Sequence, residues 1–197
     1  MCERIALPNI AIRASDEELY EDNPIEYIRR DLEGSDHDTR RRAAADFIRG
    51  LMERFETQVT KIMSEYVGRF LQNYTANPKA NWKDKNTAIF LLVAIATRSS
   101  TLQLGVTKTN ELVDVVDFFS KHVLCDLQSE VNADIPILKM DAIKYVYTFR
   151  NQLTKEQLLT VFPLLVKHLE STDYVVHTYA AIAIERILFI RQGKTMM

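Results

Sequence analysis

The sequence predicts an all-α protein whose helices pair into hairpins and stack in series. Glycine and proline number only five each in 197 residues, so residues that interrupt helices are few. Apolar residues recur at helical spacing, whereas the strict alternation typical of strands is scarce. Apolar residues make up 47% of the chain and charged residues 26%, which is typical of a folded globular protein.

The composition also excludes several classes of function. A net charge of −2 provides no concentrated basic face, so we expect no nucleic-acid binding. The longest apolar run, residues 88–96, is about half as long as a membrane span, so we expect no membrane insertion. The two cysteines, Cys2 and Cys125, lie far apart and favour a reducing compartment. No phosphate loop or metal-ligand spacing occurs, so we expect no cofactor, no metal and no enzymatic activity.

Clear start and stop signals mark the helices of the first half. Asn23 is a preferred N-cap, Pro24 a preferred first helical residue and Glu26 a favourable third residue. The Asn77-Pro78 pair ends the third helix, because a residue before proline avoids the helical region. The predicted helices span residues 24–33, 38–55, 57–74 and 84–98. The last of them is apolar all round, so we expect it to be buried between neighbours.

A loop at residues 99–109 is predicted to separate this half from the next helix, at residues 110–127. That helix is marked by apolar residues at spacings of three and four. They are Leu112, Val116, Phe119, Val123 and Leu127.

Three more helices follow, one from Pro136, one from Thr154 and one over residues 174–190. Thr154 and Gln157 match a capping box, which predicts the start of the second of these helices. Pro163 lies within the same helix and is expected to kink it.

An internal repeat favours a solenoid over a closed bundle. Residues 28–51 align with residues 165–188 at an offset of 137, which is three times about 46, a period within the HEAT range. The stretch PLLVKHLESTDYVVHTYAAIAIERIL, residues 163–188, resembles a HEAT repeat throughout. We therefore predict a right-handed α-solenoid of HEAT-type hairpins. The expected hairpins are residues 24–55, 57–98, 110–150 and 154–191, preceded by an acidic insertion or connector at about 13–23. Both ends of the sequence are apolar, so we expect the chain to be a segment of a longer solenoid.

Two charged stretches are the candidate functional residues. The basic stretch is Arg40, Arg41 and Arg42, in the first turn of a helix, where positive charge opposes the helix dipole. Either the nearby acids Glu33, Asp36 and Asp38 neutralise these arginines, or the arginines contact a partner.

The acidic stretch permits a similar choice. Its members are Asp16, Glu17, Glu18, Glu21 and Asp22, with Glu26 just beyond. These residues form either a solvated helix start, capped by Ser15 and Glu18, or a surface for a partner or hinge.

Several long blocks resemble the importin-β-like nuclear transport receptors, in particular exportins of the CAS type, over residues 2–191. The blocks are EDNPIEYIRRDLEGSDHDTRRRAAADFIRG, NELVDVVDFFSKHVLCDL, IKYVYTFRNQ and VVHTYAAIAIERI. The resemblance implies a non-enzymatic carrier that shuttles between nucleus and cytoplasm. Its implied partners are GTP-bound Ran, importin-α as cargo and nuclear pore proteins.

The resemblance also implies roles for the charged residues. Members of the family carry an acidic insertion that contacts Ran and acts as a hinge, and the acidic stretch fits that place. A change of solenoid curvature would then couple Ran binding to cargo binding. A generic HEAT-repeat scaffold unrelated to transport stays open as an alternative.

Overall fold

The computed structural model describes residues 2–33, 40–101 and 103–194. The chain forms two compact units, Met1–Ala96 and Thr97–Met197. Helices dominate both, which confirms the all-α helical-repeat fold predicted from sequence. Within the described ranges, no helix combines the length and the apolarity needed to cross a membrane.

The first unit begins with a π-helical turn, Cys2–Ala6. Its helices are α1 (Leu7–Ile10), α2 (Ala14–Asp22), α3 (Pro24–Glu33), α4 (Arg40–Ala76) and α5 (Trp82–Ala96). The predicted stop at Gly34 and start at Asp38 lie outside the described residues.

Local capping sets the start of α3, as predicted. The Glu26 backbone N–H donates to Asn23 Oδ1 over 3.2 Å, and Pro24 is the first helical residue. Tyr20 of α2 contacts Tyr27 of α3 edge to face, with 5.0 Å between ring centroids. Residues 14–22, which carry most of the acidic stretch, therefore form a helix that contacts α3.

The boundary predicted between the second and third helices is a kink inside α4. Phe55 has φ −130° and ψ 40°, which is not helical, so α4 divides where residues 38–55 and 57–74 were expected to meet. The α5 helix packs against α4. Most of α5 is buried, including Ile89, Leu91 and Ile95, which confirms the burial predicted for this apolar helix.

The second unit begins with a β-hairpin, β1 (Thr97–Thr101) and β2 (Gly105–Thr109). The prediction of a loop at residues 99–109 was therefore wrong. The strands pair antiparallel, with Thr101 opposite Gly105. Ser and Thr residues dominate β1 without apolar alternation, so the strand signal of β1 is weak.

The helix predicted at residues 110–127 begins five residues later. The Asp114 carboxylate caps it, accepting backbone N–H groups of Val116 at 3.1 Å and Asp117 at 2.8 Å. Leu112, the first residue of the predicted stripe, is consequently 56% exposed. The helical path comprises α6 (Val115–Phe118), a π-helical turn (Phe119–Val123) and α7 (Leu124–Gln128).

The remaining helices are α8 (Pro136–Thr148), α9 (Lys155–His168) and α10 (Tyr174–Lys194). The predicted capping box is present: Gln157 N–H donates to Thr154 Oγ1 over 3.2 Å, and Thr154 N–H donates to Gln157 Oε1 over 2.9 Å. The α9 helix continues through Pro163 as one element. The α10 helix packs against both α8 and α9, with its small residues Ala180 and Ala183 fully buried at the contact.

Candidate functional site

Asp16 connects the two charged stretches. Its Oδ2 accepts the Arg13 backbone N–H over 2.9 Å, which caps α2. The same oxygen accepts Nη2 of Arg40 over 3.1 Å. The helix begins at Ala14, so the cap predicted from Ser15 and Glu18 is wrong, and Asp16 at the third helical position provides it instead.

Arg40 is held by three acceptors within the first unit. Its Nη1 donates to Pro8 O over 3.0 Å, and its Nη2 donates to Ala11 O over 3.0 Å as well as to Asp16. Partial burial is the main cause that lowers the pKa of Arg40, and the positive charge of Arg13 adds to it, whereas Asp16 raises it. The guanidinium remains charged at neutral pH. Through these bonds Arg40, at the start of α4, connects the end of α1 to the start of α2.

Arg41 is also held by hydrogen bonds within the first unit, to α1 and to α5. Its Nε donates to Ile10 O over 2.7 Å, and its Nη2 donates to Asn86 Oδ1 over 2.8 Å. The guanidinium carbon lies 4.2 Å from the centroid of the Phe90 ring. Arg42 is exposed.

The acids proposed to neutralise these arginines lie outside the described residues, at Asp36, Asp38 and the Glu33 side chain. Within the described part of the chain, the carboxylate that pairs with Arg40 belongs to the acidic stretch itself. The two stretches, which the sequence presents as separate features, thus form one cluster.

Lys83 is a functional candidate that sequence reasoning missed. Its ammonium forms an ion pair with Glu17 of α2. Lys83 lies in the first turn of α5, as Arg40 lies in the first turn of α4, and a cation is unfavourable at both places. The carboxylates of α2 offset both charges. A cation near a helix start is the signal that could have revealed Lys83.

The remaining acids fall into two groups. Glu26 pairs with Arg29 at 2.7 Å and Arg30 at 2.8 Å on its own helix, and the hydrogen bond from Arg30 is the main cause that lowers the Glu26 pKa. Glu18, Glu21 and Asp22 are exposed. Their spacing of three and four residues places them on one side of α2, and we call them the acidic face.

The described residues contain no group of three or more His, Cys, Asp and Glu side chains that could hold a metal ion. In the second unit, an open apolar groove is lined by Leu169, Ala181, Ile184, Glu185, Leu188 and Phe189. Leu188 and Phe189 are 47% and 48% exposed, so the groove presents apolar side chains to solvent.

The fold and these surfaces define the class of protein: a helical-repeat protein whose exposed features are a charged helix face and an apolar groove. The family model described as Cse1 matches residues 1–184. The chain belongs to the Cse1 family.

Individual relatives agree with this assignment. Exportin-2 of Mus musculus is 53% identical over 191 residues, covering 97% of this chain and 20% of that protein. Exportin-2 of Homo sapiens is 52% identical with the same coverage. The solved structure of the exportin Cse1 in its cargo-free, cytoplasmic state matches with a TM-score of 0.90 and 51% identity, over 97% of this chain and 21% of that one. The chain thus spans about a fifth of the length of these relatives.

Proposed function

We propose that this chain is part of a nuclear export receptor that carries importin-α from nucleus to cytoplasm together with GTP-bound Ran. Membership of the Cse1 family is the observation that carries the proposal, since relatives named Exportin-2 are 52–53% identical over nearly the whole chain. The receptor acts without catalysis and shuttles between the two compartments. The chain contributes a helical-repeat segment to it.

Within that segment, the acidic face is the contact for a basic surface of Ran. Glu18, Glu21 and Asp22 are exposed, whereas Asp16 and Glu17 are paired inside the unit. The acidic stretch therefore divides into residues that position α2 and residues that a partner can reach. Arg42 is the exposed member of the basic stretch, and as a cation it would contact an acidic group of a partner rather than the basic surface that fits the acidic face.

In this proposal α2 also acts as a hinge. It is held to the starts of α4 and α5 by Arg40 and Lys83. Ion pairs open to solvent contribute only about 0.2–1 kcal/mol each. Both of these pairs are partly open to solvent, so a partner on the acidic face can offset their loss. A shift of α2 would then change the packing of the repeats that follow, which couples Ran binding to cargo binding.

The apolar groove is the contact for the next helical hairpin of the longer receptor. The offset of 137 residues aligns Ala181 with Ala44 and Phe189 with Met52. Ala44 and Met52, both on α4, are 6% and 1% exposed in the first unit. The equivalent face of α10 is the exposed groove.

The test of the Ran contact is a calorimetric titration of the chain with Ran bound to a non-hydrolysable GTP analogue, at two salt concentrations. The test variant carries Glu18→Gln, Glu21→Gln and Asp22→Asn. The matched control carries Glu53→Gln, Glu65→Gln and Glu170→Gln, three exposed acids outside α2. We expect salt-sensitive binding that the test variant loses and the control retains. Equal binding by both variants would contradict a Ran contact on the acidic face, and the export role would then depend on other repeats.

A further inference from the structure

Ser15 is a hydroxyl residue followed by an unbroken acidic run. Asp16, Glu17 and Glu18 occupy the next three positions, an arrangement that no other serine or threonine of the sequence shares. Acidophilic protein kinases select a serine by acids at these positions, and above all at the third, because their substrate cleft is basic. The sequence around Ser15 therefore matches the substrate pattern of this kinase class.

The structure leaves the Ser15 side chain outside the cap of α2. Ser15 is exposed at the second position of the helix, and Asp16 provides the cap instead. Glu18, three residues after Ser15, is exposed as well, whereas the two acids between them are paired inside the unit. The acid that such a kinase reads most strongly is thus one that the fold leaves in solvent.

The first turn of α2 is also easy to open. Within α2, all of which the structure describes, Tyr20 is the one buried residue, and it lies beyond the first turn. The ion pairs that hold this turn are partly open to solvent. Residues 11–13 are not helical, and Arg13 is extended, with φ −114° and ψ 164°. A short helix with so few buried contacts opens locally at low free energy, so a kinase cleft can reach Ser15.

Positive charge exceeds negative charge at the start of α2. Arg40 pairs there with Asp16. Burial is the main cause that lowers the pKa of Arg40, and repulsion from Arg13 and Arg41 adds to it. A phosphate is stabilised in the first turn of a helix and beside arginines. A phosphate on Ser15 would bring nearly two negative charges to this end of α2.

Ser15 also continues the acidic face. It precedes Glu18 by three residues and Asp22 by seven, a spacing that places all three on one side of a helix. A phosphate on Ser15 would therefore extend the acidic face toward the start of α2.

We propose that Ser15 is a phosphorylation site for an acidophilic protein kinase and that the phosphate extends the acidic face. Ser15 Oγ attacks the γ-phosphorus of ATP, the bond from that phosphorus to the β,γ-bridging oxygen breaks, and ADP leaves. The hydroxyl proton passes to the catalytic aspartate of the kinase. Stronger attraction of a basic partner is a consequence that rests on the function proposed above, whereas the modification itself does not.

The test incubates the whole chain with casein kinase II and ATP and locates the phosphate by mass spectrometry. Ser35 has acids at the first and third following positions, so the measurement must resolve it from Ser15. We expect phosphate on Ser15. Glu18→Gln removes the acid at the third position and should slow this phosphorylation by about tenfold, the effect of one lost charged contact. Glu21→Gln, which removes another exposed acid of α2, should leave the rate unchanged.

Two results would overturn the proposal. One is an unmodified Ser15 in the folded chain while the same kinase preparation phosphorylates casein. The other is an equal rate for Glu18→Gln and Glu21→Gln, which would mean that the acidic run does not direct the kinase to Ser15. Ran is absent from this assay, so a failure of the Ran titration and a failure of the phosphorylation are told apart.

Discussion

One carboxylate oxygen of Asp16 lies 2.9 Å from the Arg13 backbone nitrogen and 3.1 Å from Nη2 of Arg40. Asp16 therefore caps α2 and at the same time fastens this helix to the start of α4. The acidic stretch is held in place by a member of the basic stretch, and its outer residues remain exposed.

Replacing Asp16 by asparagine should lower the free energy of unfolding by about 1 kcal/mol. The amide oxygen can still cap α2, but the charge that offsets Arg40 is lost. Urea unfolding at low salt measures the effect. Glu18→Gln is the control, since Glu18 is exposed and should change the free energy of unfolding by no more than about 0.5 kcal/mol. Equal effects of the two substitutions would show that the Asp16–Arg40 pair does not stabilise the fold.

His168 should make the stability of the chain dependent on pH. It is fully buried, and its Nε2 lies 2.8 Å from Leu127 O. Burial is the main cause that lowers its pKa, with Lys139 and Lys167 acting in the same direction and the bond to Leu127 O opposing them. Because the folded pKa is below the unfolded value, the unfolded state binds the proton first. Stability is complete above the unfolded pKa of about 6.5 and falls as pH decreases below it.

Urea unfolding between pH 5.5 and 7.5 tests this expectation. The free energy of unfolding should decrease toward pH 5.5 in the native chain and change less in His168→Gln, whose amide can donate to Leu127 O but does not titrate. Parallel pH profiles for the two proteins would exclude His168 as the cause.

Gly105→Ala should destabilise the second unit by about 1–3 kcal/mol, because alanine is strained at φ +71° and its Cβ approaches Thr148 O to 2.7 Å. Gly68→Ala is the matched control. Gly68 lies in α4, and a Cβ added there would meet no atom within 4 Å, so alanine should stabilise by about 0.5–1 kcal/mol. Thermal unfolding distinguishes the two, and a neutral Gly105→Ala would contradict the tight fit of the hairpin on Arg150.

The apolar groove should cause the isolated chain to self-associate at high concentration. Leu188→Glu places a charge in the groove and should reduce the weight-average mass in sedimentation equilibrium. Leu159→Glu is the control, because Leu159 is 52% exposed and does not line the groove. A mass independent of concentration in the native chain would contradict the prediction that the groove is an uncovered contact face.

Features set by near neighbours in the chain were predictable, and features set by distant residues were not. The starts of α3 and α9 were predicted correctly because Asn23 and Thr154 act on backbone groups three residues away. The hairpin was missed because β1 and β2 are joined to distant residues: Arg150 reaches Gln103 across 47 positions. The late start of α6 was missed because the spacing of Leu112 fits a helix, whereas Asp114 caps the helix beyond it.

The sequence by itself determined the all-α class, the helix order and the two charged stretches, since propensity, capping and apolar periodicity operate within a few residues. Only the tertiary structure decided which charged side chains are paired within the unit and which are exposed to a partner. Asp16 meets Arg40 across 24 positions, and Glu17 meets Lys83 across 66. These pairings depend on where α2 lies relative to the starts of α4 and α5. The local sequence pattern does not encode this arrangement. The arrangement separates Asp16 and Glu17, which position α2, from the acidic face.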